Sequence, residues 1–493
     1  SPTPAFYSIR ERTPKILEVM LSTLLIVGAI YLAILVTISL RQRKKRGSTK
    51  DYLLAGSNLG SFLGLFTFAA TLFSTFTLLG MPDFFRAHGV GAWIFLAVAD
   101  AAMVFGIIWG GYYFRKKALG QDFRGMAGFM QRQFQSRTAG LVIFLGAFVF
   151  LIPYIAIQIR GVAIFLNQAF PEILPVWVWA AFIVVVMLLY SEVGGLKAII
   201  YSDTLQGIIL LTVIWIVGIN CLSYAGGLGA MFDQLEATNP ALLSTPGPNG
   251  LFTFQFLLGS IVAIILIPYT QPQVSTRLAI MKSHRSLYRM AVGVGTFAIL
   301  IILPTVFIGM YGALFYPEAT TSEFLGGALL RDQPEVLAAL VLIGLFAAAI
   351  STADSQIFAL GTELQSILQG GEQHLLRIAR SGIFFFALTA LIFSVLTSDE
   401  LVLLARTSFA GTALMAPMIF TGIFYERAET LRALPWLTLI ALAVFLASQF
   451  NWVPGSILGI QLDLSLLVLL GLATLGLIAF QRSRLEEVAV ERS

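Results

Sequence analysis

Ala69–Thr77 reads AATLFSTFT, a run of small and hydroxyl side chains set midway along an otherwise apolar stretch at 61–82. A second apolar stretch, 251–272, is interrupted in the same way near its end by Pro268–Gln273, PYTQPQ. Hydroxyls that bond the backbone locally and a proline that removes an N–H both stop a helix. In a bilayer such a break is tolerated only where protein or a water-filled cavity meets the freed backbone groups. Two broken helices at matching places in two halves of a chain are the mark of inverted repeats whose breaks meet at a transport site.

The rest of the chain fits this pattern. Of its 493 residues 58% are hydrophobic and only 12% charged, with a mean hydropathy of +0.87, whereas a soluble chain carries about 25% charged residues. Apolar runs of spanning length, about 20 residues, fall at 16–40, 61–82, 92–113, 138–166, 174–191, 195–220, 251–272, 287–315, 335–363, 380–397, 400–424, 434–449 and 460–480. These predict an all-α integral membrane protein of about thirteen transmembrane helices, in which 61–220 and 251–424 form two sets of five. An odd number of crossings inverts the second set relative to the first. The chain accordingly divides into 1–50 (an extra helix and a basic loop), 51–224 (first repeat), 225–425 (second repeat) and 426–493 (two extra helices and a tail). No small-residue cleavage motif follows Ile16 to Leu40, which reads as a retained helix.

The net charge of +5 reflects topology and gives no reason to expect nucleic acid. Twenty-four of the 31 Lys and Arg fall on one side of this plan, among them the Arg41–Lys50 run, the Arg115–Arg137 segment, and Arg277, Lys282, Arg285 and Arg289. The positive-inside rule makes that side cytoplasmic, with the N-terminus outside and the C-terminus in the cytoplasm of a cell-membrane protein. Cys221 is the single cysteine, and His88, His284 and His374 are the three histidines. They supply no disulfide framework, metal cluster or nucleophile–base pair, so neither an enzyme nor a bound cofactor is expected.

Ionisable groups in the apolar interior are expensive, and each asks for a partner, a cavity or a function. The candidates are Asp100, Arg160, Asp203, Asp354 and Arg406. In Ala347–Gln356, AAAISTADSQ, the side chains of Ser351, Asp354 and Ser355 share one helical face, a cluster of oxygens that suits a hard cation such as sodium. In Gly194–Gln206, GGLKAIIYSDTLQ, a glycine break precedes Asp203, for which three roles stay open: cation ligand, proton site, or half of an ion pair. Pro153–Gly161, PYIAIQIRG, places Gln158 and Arg160 deep in a helix, where a guanidinium needs a carboxylate. That carboxylate is either internal, Asp100 or Asp354, or part of a solute, and the same choice holds for Arg406.

Taken together, AATLFSTFTLLGMP, GGLKAIIYSDTLQ, QPQVSTR (Gln271–Arg277) and AAAISTADSQ resemble the sodium:solute symporter family, in collinear order over roughly 51–425. The family includes transporters of proline, pantothenate, choline, sialic acid and sugars, and the STADS string is nearest to its proline, pantothenate and choline branches. The resemblance implies the leucine-transporter fold. It also implies a sodium site made by carbonyls of Ala70, Phe73 and Ala348 and hydroxyls of Ser351 and Thr352. Some members hold a second sodium, and Asp203, Asp354 and Ser355 match its place. The turn before QPQVSTR, Ile264 to Ile267, and Leu72 differ from the proline branch at pocket positions.

The expected function is sodium-coupled import, by alternating access, of a small organic solute, an amino acid or small carboxylate. Its polar end would meet Ser74, Thr77, Gln158, Arg160 and Gln271; an apolar Ile264–Ile267 wall suits a sugar poorly. A proton-coupled transporter and a symporter-like module of a membrane sensor are the alternatives. Thirteen residues follow Phe480, which argues against a kinase-linked sensor.

Overall fold

The computed structural model describes residues 13–44, 54–55, 58–121, 123–170, 173–396 and 401–491. The basic run at 45–50 and part of the DYLLAGSNLG segment lie outside the described residues. In chain order the helices are α1 (Thr13–Lys44), α2 (Ser61–Leu72), α3 (Met81–His88), α4 (Ala99–Leu119), α5 (Met126–Gln133), α6 (Arg137–Ala169), α7 (Val176–Tyr224), α8 (Leu228–Thr238) and α9 (Phe254–Thr270). They continue as α10 (Pro272–Ala279), α11 (His284–Phe315), α12 (Thr321–Gly326), α13 (Glu335–Ser366), α14 (Glu372–Leu396), α15 (Leu401–Ala413), α16 (Ala416–Phe424), α17 (Leu434–Gln449) and α18 (Leu462–Glu491). Among the described residues eight helices are long and apolar enough to cross a membrane, or eleven when each bent pair is one span. Val176–Leu189 and Leu434–Gln449 are shorter apolar helices.

Both expected breaks are present. The bend from α2 into Phe76–His88 is 57°, and that from α9 into α10 is 56°. The second has a simple cause: Pro272 opens α10, and the residue before a proline is driven out of the α region. Gln271 accordingly sits at φ −106°, ψ 117°. The first contains no proline at the break; Phe73 turns extended at φ −92°, ψ 116°, and side chains take over the freed N–H groups. Ser74 N donates to Thr77 Oγ1 (3.1 Å), Phe76 N to Ser74 Oγ (3.2 Å) and Thr75 N to Gln158 Oε1 (3.1 Å).

Two glycines fix how the other helices meet this region. Gly195, at φ 64° and ψ −171°, divides α7 into two helices and so turns the segment carrying Asp203 back into the bundle. Gly161 lets α6 lie against the first break, since a Cβ there would stand 2.4 Å from Thr75 Cγ2. Membrane helices associate through such close contacts because lipid supplies no hydrophobic drive between them. A third break was not expected: α15 and α16 bend by 40° at Leu414–Met415, before Pro417. The first helix, α1, leans on α7 and α13. Its Tyr31 hydroxyl accepts from Gln206 Nε2 at 2.7 Å, and Tyr31 and Leu35 pack with Ile343, Ala347 and Ile350.

At the Arg-rich end the two broken helices are tied together. Leu59 N donates to Ile280 O (3.0 Å) and Lys282 N to Leu59 O (2.8 Å), a short parallel bridge. Beside it the Glu363 carboxylate of α13 accepts from the first N–H groups of α5, Met126 (2.8 Å) and Ala127 (2.6 Å). At the other end a hairpin of β1 (Ser456–Ile457) and β2 (Ile460–Gln461) leads into α18.

Candidate functional site

Four elements meet at the first break: α2, the second half of α7, α10 and α13. From α13, Thr352 Oγ1 donates to the Ala70 carbonyl at 3.0 Å, and Ser351 Oγ lies 3.1 Å from the same oxygen. Ala348 stands one turn earlier on α13, and Phe73 is the extended residue at which α2 ends, so its backbone lies outside the regular helix ladder. Ser351 and Thr352 are fully buried, and Phe73, Ala70 and Ala348 are buried around them. The donor set is made of hydroxyl and carbonyl oxygens, which suits a hard monovalent cation. Among the described residues no group of three His, Cys, Asp or Glu could hold a metal.

Asp203 lies beside this cluster and is fully buried. Its Oδ1 accepts from Ser351 Oγ at 2.7 Å and its Oδ2 from Thr67 Oγ1 at 2.5 Å. Its charge partner is Arg277, whose Nη2 lies 3.4 Å from Asp203 Oδ2. The same guanidinium donates to Ser355 Oγ (2.8 Å), Thr67 Oγ1 (3.2 Å) and the Gln273 carbonyl (2.6 Å). Arg277 is thus no loop charge. It is the largest fully buried side chain of the described residues, 1% exposed, carried inward by α10 directly after the second break. Its place on the positive side of the charge count hid it; the only sequence signal was its spacing, four residues after Gln273 on a turn that Pro272 had already redirected. Thr67 and Thr71 were also missed, although they lie within the last two turns before the break on the face toward α13; Thr71 Oγ1 lies 3.4 Å from Ser355 Oγ.

Asp354 stands apart. It is buried, yet neither of its carboxylate oxygens accepts a well-formed hydrogen bond, and both amide atoms of buried Gln356 are likewise unsatisfied. Buried polar atoms without partners are rare and call for a ligand, water or ion.

The candidate solute-binding residues divide. Gln158 and Ser74 are bound up with the first break through the Thr75 and Phe76 amides, and Thr77 closes its turn by accepting from Ser74 N. Gln271, at the second break, accepts from Gln273 Nε2 (2.7 Å) and keeps its own amide nitrogen unpaired. Arg160, two residues beyond Gln158, occupies another face of α6 and donates to the Ser394 carbonyl of α14 at 2.9 Å. The internal partners considered for the arginines, Asp100 and Asp354, pair with neither: Arg406 pairs with Asp463 of α18 at 2.9 Å.

Known proteins resemble this chain over most of its length. Residues 52–439 match the family model described as "Sodium:solute symporter family". A sodium/pantothenate symporter of Haemophilus influenzae is 23% identical over 427 residues, covering 80% of this chain and 83% of the relative. A sodium/proline symporter of Escherichia coli is 21% identical, covering 83% and 86%. Among solved structures, a Na+-coupled sialic acid symporter in a substrate-bound, outward-open state superposes with a TM-score of 0.74 at 16% identity, covering 92% of this chain and 96% of that one. Mhp1, a nucleobase-cation-symport-1 family transporter, gives 0.57 at 15% identity, covering 87% and 94%. Both have the leucine-transporter fold, with which the two matching breaks agree.

Proposed function

Since the chain belongs to the sodium:solute symporter family, a family of multi-pass membrane transporters that couple Na+ to the symport of a small solute, we propose that its sodium ion is held between α2 and α13. The ligands are the carbonyls of Ala70, Phe73 and Ala348 and the hydroxyls of Ser351 and Thr352. One observation carries this reading: two hydroxyls of α13 converge on a single carbonyl of α2 at the point where α2 stops being helical. An ion there joins the two repeats, 51–224 and 225–425, and so binds one arrangement of them better than the other, which is what coupling requires. The protein imports a small amino acid or carboxylate by alternating access through thirteen spans, with its N-terminus outside and its C-terminus in the cytoplasm. Ser74, Thr77, Gln158 and Gln271 border its path.

Asp203, Asp354 and Ser355 fit a second cation site less simply, because Arg277 already brings a positive charge to Asp203 and Ser355. We read Asp203 and Arg277 as an ion-paired lock behind the sodium site, and Asp354 as the carboxylate left for a second cation or a proton.

The test is sodium activation of uptake in proteoliposomes. Each hydroxyl removed from the site costs about 1–2 kcal/mol. Ser351→Ala with Thr352→Ala therefore raises half-saturating sodium by about one and a half to three orders of magnitude, with insertion unchanged. A wild-type sodium dependence in the double variant refutes the site.

A further inference from the structure

Beside the first break, three residues beyond Phe73, lies a narrow cavity of about 10 Å³, which in this arrangement has room for about one water molecule. Its walls are apolar, Phe76, Ile264 and Phe409 among them, except where Ser260 and Arg406 enter, the polar lining residues. Arg406 Nε donates to Ser260 Oγ (3.0 Å), and Nη2 to Gln461 Oε1 (2.8 Å) and Asp463 Oδ2 (2.9 Å). The guanidinium carbon lies 4.7 Å over the Phe256 ring. A guanidinium has five N–H donors, and the two on Nη1 donate to no described residue. The side chain is 17% exposed, so this end of it is neither sealed nor satisfied.

Gln461 and Asp463 come from outside the two repeats, at the turn from β2 into α18. That turn is pinned to the start of α9 by Gln255, which donates to Gly459 O (3.0 Å) and accepts from Gln461 N (3.0 Å). The hairpin therefore holds the arginine by one nitrogen and leaves the other presented.

We propose that, when the walls of this cavity part, Arg406 docks the carboxylate of the transported solute through Nη1, and that the solute is a small monocarboxylate with an apolar body. The proposal rests on the symporter reading, which makes the break at Phe73–Phe76 part of the solute path. The chemistry favours this class over the others. Nη1 offers donors only, which a cationic solute has nothing to accept with, apolar walls leave the hydroxyls of a sugar unpaired, and a guanidinium N–H makes a charge-assisted hydrogen bond to a carboxylate. With Asp463 keeping the arginine neutral overall, an anion adds a net negative charge, which sodium three residues away at the Phe73 carbonyl offsets. Solute and ion thus favour each other's binding.

Thermal stability of the full-length protein in nanodiscs tests this, with NaCl present and with acetate through octanoate and benzoate as probes against hexanamide, benzamide and proline. The carboxylates raise the melting temperature and the amides do not. Arg406→Gln raises the half-saturating carboxylate concentration by about tenfold or more and keeps the shift caused by sodium alone, while Arg406→Lys recovers part of the carboxylate response. Asp463→Asn, which removes a competing charge and keeps the arginine, tightens carboxylate binding about threefold or more. The proposal falls if wild type responds to no carboxylate, if amides or proline match the carboxylates, if Arg406→Gln leaves the response unchanged, or, where that variant does not fold, if Asp463→Asn fails to strengthen it. Absence of any sodium-induced shift in wild type is a different result and overturns the symporter reading itself.

Discussion

At the scale of single residues, the centre of the molecule is held by a buried charge pair. Asp203 and Arg277 are each about 1% exposed or less, and between them they engage Thr67, Ser351, Ser355 and the Gln273 carbonyl. Removing one member of such a pair strands the other charge, at about 3–5 kcal/mol, whereas removing both costs far less. Asp203→Asn and Arg277→Gln are therefore each expected to lower the melting temperature in detergent steeply, and the double variant to recover most of that loss. If Asp203 were only a cation ligand, its single variant would weaken sodium binding and leave stability alone, and the double variant would show no rescue. The sequence marked Asp203 because a carboxylate in an apolar run is conspicuous. Arg277 was not marked, because a basic residue just beyond an apolar run looks like any orienting loop charge; only the 56° bend after Thr270 turns it inward.

Among the elements, the two breaks differ in how they are specified, and so in how legible they were. The break before Pro272 is written in one residue. The break after Leu72 needs a neighbour: α6 must come close enough for Gln158 to accept from Thr75 N, and only a glycine at 161 allows it. The bend at Leu414–Met415 was missed although Gly411, Thr412 and Pro417 flank it; the two turn hydrogen bonds that accompany it, Leu414 N to Gly411 O and Met415 N to Thr412 O, are backbone only. Gly161→Ala tests the dependence of the first break on α6. Its Cβ would meet Thr75 Cγ2 at 2.4 Å, and overpacking of this kind costs about 1–3 kcal/mol. The helix moves away, the Thr75 amide loses its acceptor, and the Ala70 and Phe73 carbonyls lose their setting. Sodium-induced thermal stabilisation is expected to shrink in this variant even though none of the proposed sodium ligands has changed. A sodium response equal to wild type shows that the break stands without α6.

For the whole molecule, the tie at the Arg-rich end matters most, since alternating access needs each end to open in turn and the cost of opening sets the population of each state. Glu363 of α13 accepts from Met126 N and Ala127 N, and the approach is close enough that a Cβ on Gly128 would stand 2.4 Å from the Ser366 carbonyl. This joins the helix bearing Ser351 and Thr352 to α5, so the proposed sodium site and the closure share one element. A carboxylate on the first N–H groups of a helix makes charge-assisted bonds worth about 1.5–3 kcal/mol. Glu363→Gln keeps the shape and loses the charge, and is expected to raise hydrogen exchange of the Met126 and Ala127 amides by about tenfold or more, since about 1.4 kcal/mol is a factor of ten. As the closed state becomes less populated, apparent solute affinity measured from the opposite side falls by the same fraction, with the sodium ligands untouched. Unchanged exchange at these amides in Glu363→Gln means that the bridge between Leu59 and Lys282 holds this end shut alone, and that Glu363 is not part of the gate.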